Sequence, residues 1–227
     1  MKFYNATGGA NWWKKWDLKK PINTWFGVKQ SQDGCITGIY LGDTSSLDLQ
    51  ISGNNLSGTM IDLNLPHLLE LNLASNKLEG NIPNFNGFPS LTSIILFNNK
   101  LNGLIPDFDN FPLLLDLNLG ENRLSGNIPS LNKLTKLRNI SLFSNILSGP
   151  LPAFDKALSL ESIQIQSNKL DGSLPSLKNP ILRLIYLHHN NFSGPIPSFD
   201  FTPNLETLNI TDNYLTAHFL IFSVFHC

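Results

Sequence analysis

Cysteine is almost missing from this chain: Cys35 and Cys227 are the only two in 227 residues, and they stand far apart in it. A disulfide needs Cα atoms within about 7 Å. Pairing these two would bring the ends of the chain together, which the elongated architecture argued below forbids, so the redox compartment stays unread. Charge is sparse as well. Only 15% of the residues are charged, and 16 Lys plus Arg face 17 Asp plus Glu, so no global field favours nucleic acid or an anionic membrane. Long apolar runs are lacking. The longest, Ala217 to Phe225, contains His218 and Ser223 and falls far short of the roughly 20 residues that span a bilayer. No cationic segment followed by an apolar stretch opens the chain, and Met1 runs directly into KFYNATGGANWW. The reading at this point is a soluble chain without a signal peptide or membrane span. Catalytic signatures are missing too. There is no Gly-x-Ser-x-Gly elbow, His-Glu-x-x-His helix, phosphate-cradling loop or Cys-x-x-Cys pair, so the chain reads as no enzyme and as needing no cofactor.

What is present is leucine and asparagine, 40 and 28 residues respectively. Hydrophobic residues make up 41% of the chain, which is a folding composition, but asparagine at this level needs more than turns to explain it. Periodicity explains it. The segment LLELNLASNKLEGNIP, ending at Pro83, recurs as LTSIILFNNKLNGLIP, LLDLNLGENRLSGNIP, LRNISLFSNILSGPLP, LESIQIQSNKLDGSLP and LRLIYLHHNNFSGPIP. Its signature asparagines are Asn54, Asn76, Asn99, Asn122, Asn145, Asn168, Asn190 and Asn213, spaced by 22 or 23 residues.

Each unit has a physical reading. Alternating apolar residues such as Leu71 and Leu73, or Leu117 and Leu119, turn one face of a short strand inward and leave Asn72 or Asn118 outward. Where the chain must turn, the signature amide can both donate to and accept from backbone that would otherwise be buried unpaired, so stacked units form an asparagine ladder. The following Leu points inward, the Gly permits a bend, and the Pro limits φ as the chain crosses to the far side. There Phe85, Phe108, Phe154 and Phe199, with Leu131 and Leu177, form a second inward column. One unit cannot bury these faces alone; stacked units make a continuous core.

The pattern LxxLxLxxNxLxGxIP resembles the plant-type leucine-rich repeat, and its IPxFxxxP back segment is similar to that of secreted bacterial proteins with plant-like repeats. The resemblance implies a mostly β member of the α/β solenoids, a right-handed superhelix with a parallel concave sheet and an irregular or 3-10 convex side. It divides the chain into an amino-terminal cap at 1–44, repeats at 45–216 and an atypical apolar tail at 217–227. All four tryptophans, Trp12, Trp13, Trp16 and Trp25, fall in the cap, where large aromatics suit the open end of a first coil. In plant members a second cysteine pairs with the one at Cys35; that partner is absent, and the cap disulfide is not carried over. The family's cap begins with a helix after a secretion signal, which makes Met1 a truncated start and the location extracellular or cell surface. The tail carries no polar capping face and reads as a truncated or frame-shifted end, with a short cap or docking peptide as the alternative.

The resembled family uses its concave strands as the binding surface. From spacing, the outward positions two and four before each signature asparagine are mostly small or polar, and against them Ile95, Phe97 and Phe143 read as exposed apolar side chains. Tyr186, His188 and His189 form a second aromatic group. Coils rise roughly 5 Å each, which puts Phe97 and Phe143 about 10 Å apart. His188, His189 and Asp212 could supply three ligands to a metal, but consecutive strand residues point apart and no fourth ligand is evident, so no metal is expected. Asp48, Glu70, Asp116 and Glu121 read as ordinary solvation, with Arg138 and Arg183 behind. The sequons at Asn5, Asn55, Asn139, Asn191 and Asn209 carry little information on compartment, since two fall within the repeat pattern itself. The expected role is noncatalytic recognition of a protein, peptide or carbohydrate. The alternatives are a fragment of a receptor-like kinase ectodomain and a structural or adhesive surface repeat.

Overall fold

The computed structural model describes residues 28–32, 36–40, 56–60 and 66–216. The cap tryptophans, Cys35, Cys227, Asn54, Asp48 and the apolar tail lie outside the described residues.

Two sheets are formed by the described residues, parallel apart from the first strand pair of the concave one. The concave sheet has nine strands among them. Val28–Gln30 and Ile36–Tyr40 form an antiparallel pair, and Ile36–Tyr40 then pairs in parallel with Glu70–Asn72. Ser93–Ile95, Asp116–Asn118, Asn139–Ser141, Ser162–Gln164, Leu184–Tyr186 and Thr207–Asn209 follow, one per coil. Register never slips along this series: Leu71, Ile94, Leu117, Ile140, Ile163, Ile185 and Leu208 stand opposite one another in turn. A slip of one residue would turn that apolar row outward.

The second sheet is a feature that the repeat pattern did not lead us to expect. Eight short strands are present among the described residues, from Ser57–Thr59 and Lys77–Asn81 through to Tyr214–Thr216; from Lys77 onward each starts immediately after a signature asparagine, and all but the last reach a glycine. Their tight stacking makes glycine necessary. Gly103 has a φ of +77°, and a Cβ there would collide with the side chain of Asn81 on the preceding coil.

Inside, the repeat positions stack as columns. Leu73, Leu96, Leu119, Leu142, Ile165 and Leu187 are all buried, as are Leu78, Leu101, Leu124, Leu147, Leu170 and Phe192. On the far side Phe85, Phe108, Leu131, Phe154 and Leu177 form the second column. The first four hold left-handed φ values of 50° to 54°, an uncommon conformation for bulky side chains. It reverses the chain while keeping each ring in the core. The amides of Phe88, Phe111, Leu134 and Ala157 then donate to the carbonyls of these four residues, closing three-residue turns. Repeated turns of this kind form the convex side, and no helix occurs among the described residues. The coil from Asn168 to Asn190 is one residue shorter than its neighbours. In it the fully buried Asn179 sits on the turn column, and its amide donates to the carbonyls of Phe154 and Ala157.

Seven signature asparagines are described, and each bridges adjacent coils. The Oδ1 of Asn145 accepts from the Leu124 amide of the preceding coil at 2.9 Å. Its Nδ2 lies 3.1 Å from the Leu119 carbonyl of that same coil, and 3.1 and 3.2 Å from the carbonyls of Leu142 and Phe143 in its own. Asn76, Asn99, Asn122, Asn168, Asn190 and Asn213 accept in the same way from Leu56, Leu78, Leu101, Leu147, Leu170 and Phe192. Replacing Asn145 by Leu leaves these backbone groups orphaned at a buried corner, with an expected loss of about 2 to 4 kcal/mol. A urea melt monitored by far-ultraviolet circular dichroism checks this through a lower midpoint than the parent's.

Candidate functional site

Side chains pointing out of the concave sheet come from fixed repeat positions, so their chemistry can be followed coil by coil. Residues two before the ladder run Ala74, Phe97, Gly120, Phe143, Gln166, His188 and Thr211. Gly120 is the notable interruption. With no Cβ on the coil between them, Phe97 and Phe143 lean together across it, with ring centroids 5.8 Å apart and planes at 43°. A Cβ at position 120 would lie 2.7 Å from Phe143 Cε1. The backbone spacing of about 10 Å therefore does not carry over to the rings. Ile95, Phe97 and Phe143 are half-buried rather than fully exposed, because an aromatic pair in contact shields itself.

Two coils on, Tyr186 and His188 meet edge to face at 5.9 Å, and His188 contacts His189 at 5.2 Å. Consecutive strand residues would point apart, but His189 is past the strand. Its left-handed φ of 55° folds the ring back toward His188 and sets Nδ1 3.3 Å from Asp212 Oδ2. Among the described residues no group of three or more His, Cys, Asp or Glu side chains is placed to hold a metal. His188 Nδ1 is buried without a partner, as is Gln166 Oε1 one coil earlier. Desolvation pushes the His188 imidazole below its ordinary pKa of 6.5; neighbouring His189 adds to this, and Asp212 opposes it.

Charge is sorted between surfaces. Arg138 and Arg183 are on the edge just before the concave strands, where they form ion pairs with Glu161 and Glu206; Arg183 Nη2 is 2.7 Å from Glu206 Oε1. Glu70 and Asp116 are on the concave strands themselves, and Glu121 and Asp212 on the left-handed residues at their ends. Asn139 Nδ2 donates to Asp116 Oδ1 at 2.6 Å. The sequence reading missed a groove of about 720 Å3 on the opposite side, lined by Leu104, Asp107, Asn110 and Lys133 among others. Lys133 and Asp109 form an ion pair there. Its residues are scattered over three coils, and no single-unit pattern reveals it.

A Leucine Rich Repeat family model matches residues 67–88. No curated protein matches the chain. Among solved structures, it is similar to the ectodomain of the plant membrane receptor kinase GASSHO1/SCHENGEN3 from Arabidopsis thaliana, in complex with CASPARIAN STRIP INTEGRITY FACTOR 2. The TM-score is 0.78 and the identity 30%, over 85% of this chain and 23% of that one. The ectodomain of the Arabidopsis receptor kinase HAESA, in complex with an N-terminally extended IDA peptide hormone, gives a TM-score of 0.67 at 36% identity, over 71% of this chain and 29% of that one. The BIR2 ectodomain from Arabidopsis thaliana is 31% identical over 73% of this chain and 85% of its own length, with a TM-score of 0.59. The chain belongs to the plant-type leucine-rich-repeat proteins. As such a protein it spans about a quarter of the GASSHO1 and HAESA ectodomains and most of the length of BIR2.

Two outcomes test the geometry of this leucine-rich-repeat face. Gly120→Ala forces the Phe143 ring off Phe97, and loss of the nuclear Overhauser contact between the two rings checks it. A folded-state pKa below the unfolded one means that the unfolded chain binds more protons below pH 6.5, so stability falls as pH drops through that range. His188→Gln removes this contribution. From pH 7 to pH 5 the melting temperature of the parent should fall further than that of the variant.

Proposed function

We propose that this chain is a ligand-recognition module of the extracellular receptor type, taking a peptide or an extended protein segment along its concave face. The observation that carries the reading is the pairing of Ile95, Phe97 and Phe143 with a second aromatic group, Tyr186, His188 and His189, on one rigid sheet of otherwise small or polar outward residues. Aromatic anchors in partly desolvated settings dominate binding energies. A preformed sheet loses little conformational freedom when it binds. The two groups lie two coils apart, so one extended segment lying across the strands reaches both.

The comparisons support a peptide over a carbohydrate. Both the GASSHO1 and the HAESA ectodomain were solved with a peptide or protein factor bound. An extracellular location follows from the same reading, and any signalling domain would lie outside the residues given. The asparagine ladder has the separate, structural task of holding the strands in register.

Panning a random 12-residue phage library on the immobilised protein tests this reading. Synthetic copies of the enriched peptides should lose at least tenfold in affinity when Phe97, Phe143, Tyr186 and His188 are all replaced by Ala. Unchanged affinity with an intact circular dichroism spectrum rejects the concave face as the site.

A further inference from the structure

The trough has one sign of charge. Its outward positions on the strands from Glu70–Asn72 to Thr207–Asn209, and the left-handed residues that end them, include the carboxylates Glu70, Asp116, Glu121 and Asp212 and no lysine or arginine. The chain as a whole is nearly neutral, so this is a sorting of charge and not a consequence of composition. The basic side chains are elsewhere. Lys77, Lys100, Arg123 and Lys169 each begin a strand of the second sheet, past the asparagine corner, and Arg138 and Arg183 are paired with glutamates on the other edge.

Two of the carboxylates bracket the aromatic pair. Glu121 follows Gly120, the residue the rings lean across, and its amide donates to the Phe143 carbonyl at 2.8 Å. Its side chain is exposed and has no ion-pair partner among the described residues. Asp116 heads the same coil's strand, with only the neutral Asn139 amide on it. A cation held there gains attraction from the carboxylates and from the negative faces of the phenylalanine rings. An anionic segment would meet repulsion with no compensating base.

Resting on the concave-face reading above, we propose that the preferred ligand is a cationic extended peptide. It places an apolar or aromatic side chain against Ile95, Phe97 and Phe143, and lysine or arginine side chains beside Asp116 and Glu121. The second-sheet cations repel the same peptide from the neighbouring surface and so confine it to the trough.

The 12-residue library provides the probe. Expected binders carry net positive charge, lose at least tenfold in affinity between 50 and 300 mM NaCl, and weaken at least fivefold with Asp116→Asn combined with Glu121→Gln. Both substitutions are close to isosteric, Glu121 being exposed and Asp116 half-buried, and an unchanged melting temperature shows that the fold is retained. Neutral or acidic binders that are lost with Phe97→Ala and Phe143→Ala overturn the charge preference while leaving the concave site in place. Binders indifferent to those phenylalanines overturn both, as does recovery of none.

Discussion

The amide at the corner of each coil is the interaction on which this molecule depends. Apolar columns drive stacking, but burial has no direction and would tolerate coils sliding over one another. The asparagine removes that freedom. One carbonyl and one NH2 group connect to four backbone groups on two successive coils; a hydroxyl both donates and accepts but has a single donor on a single atom, whereas the amide has two donors and a separate acceptor. The register of both sheets follows from it. Leucine columns line up because the corners are fixed.

That corner is closed through strained backbone. The residue before each described ladder asparagine holds a left-handed φ, between 50° at Glu121 and 58° at Ser167. Such conformations persist where surrounding structure over-determines them, and here the amide network does so. The strain has a consequence for the concave face. Glu121, His189 and Asp212 occupy this position, so the geometry that ends the strand also lifts charged or titratable groups to the rim of the trough. Asp212 and His189 then lie on neighbouring coils within hydrogen-bonding reach.

Fold and site were unequally legible. The ladder asparagines, the inward leucines and the second phenylalanine column could all be read, because each recurs with a fixed period and is dictated by its own unit. The second sheet could not. Its strands include glycine and charged residues, without the alternation that marks a half-buried strand, and their hydrogen bonds exist only between coils. The left-handed φ at Phe85 and Phe108 was equally hidden, since local preference argues for glycine there and only burial of the ring in the core overrides it.

At the concave face the sequence determined which side chains point outward, because side-chain direction alternates strictly along a strand, and that alone identified Ile95, Phe97, Phe143, Tyr186 and His188. It did not determine how they meet. Phe97 and Phe143 touch because of what is missing at Gly120, which lies one repeat away from each of them in the chain. His189 joins His188 through a backbone turn rather than through strand geometry. Identity and direction are local properties carried by each repeat; contact, burial and charge sorting arise between repeats, where only the stacked molecule sets the distances.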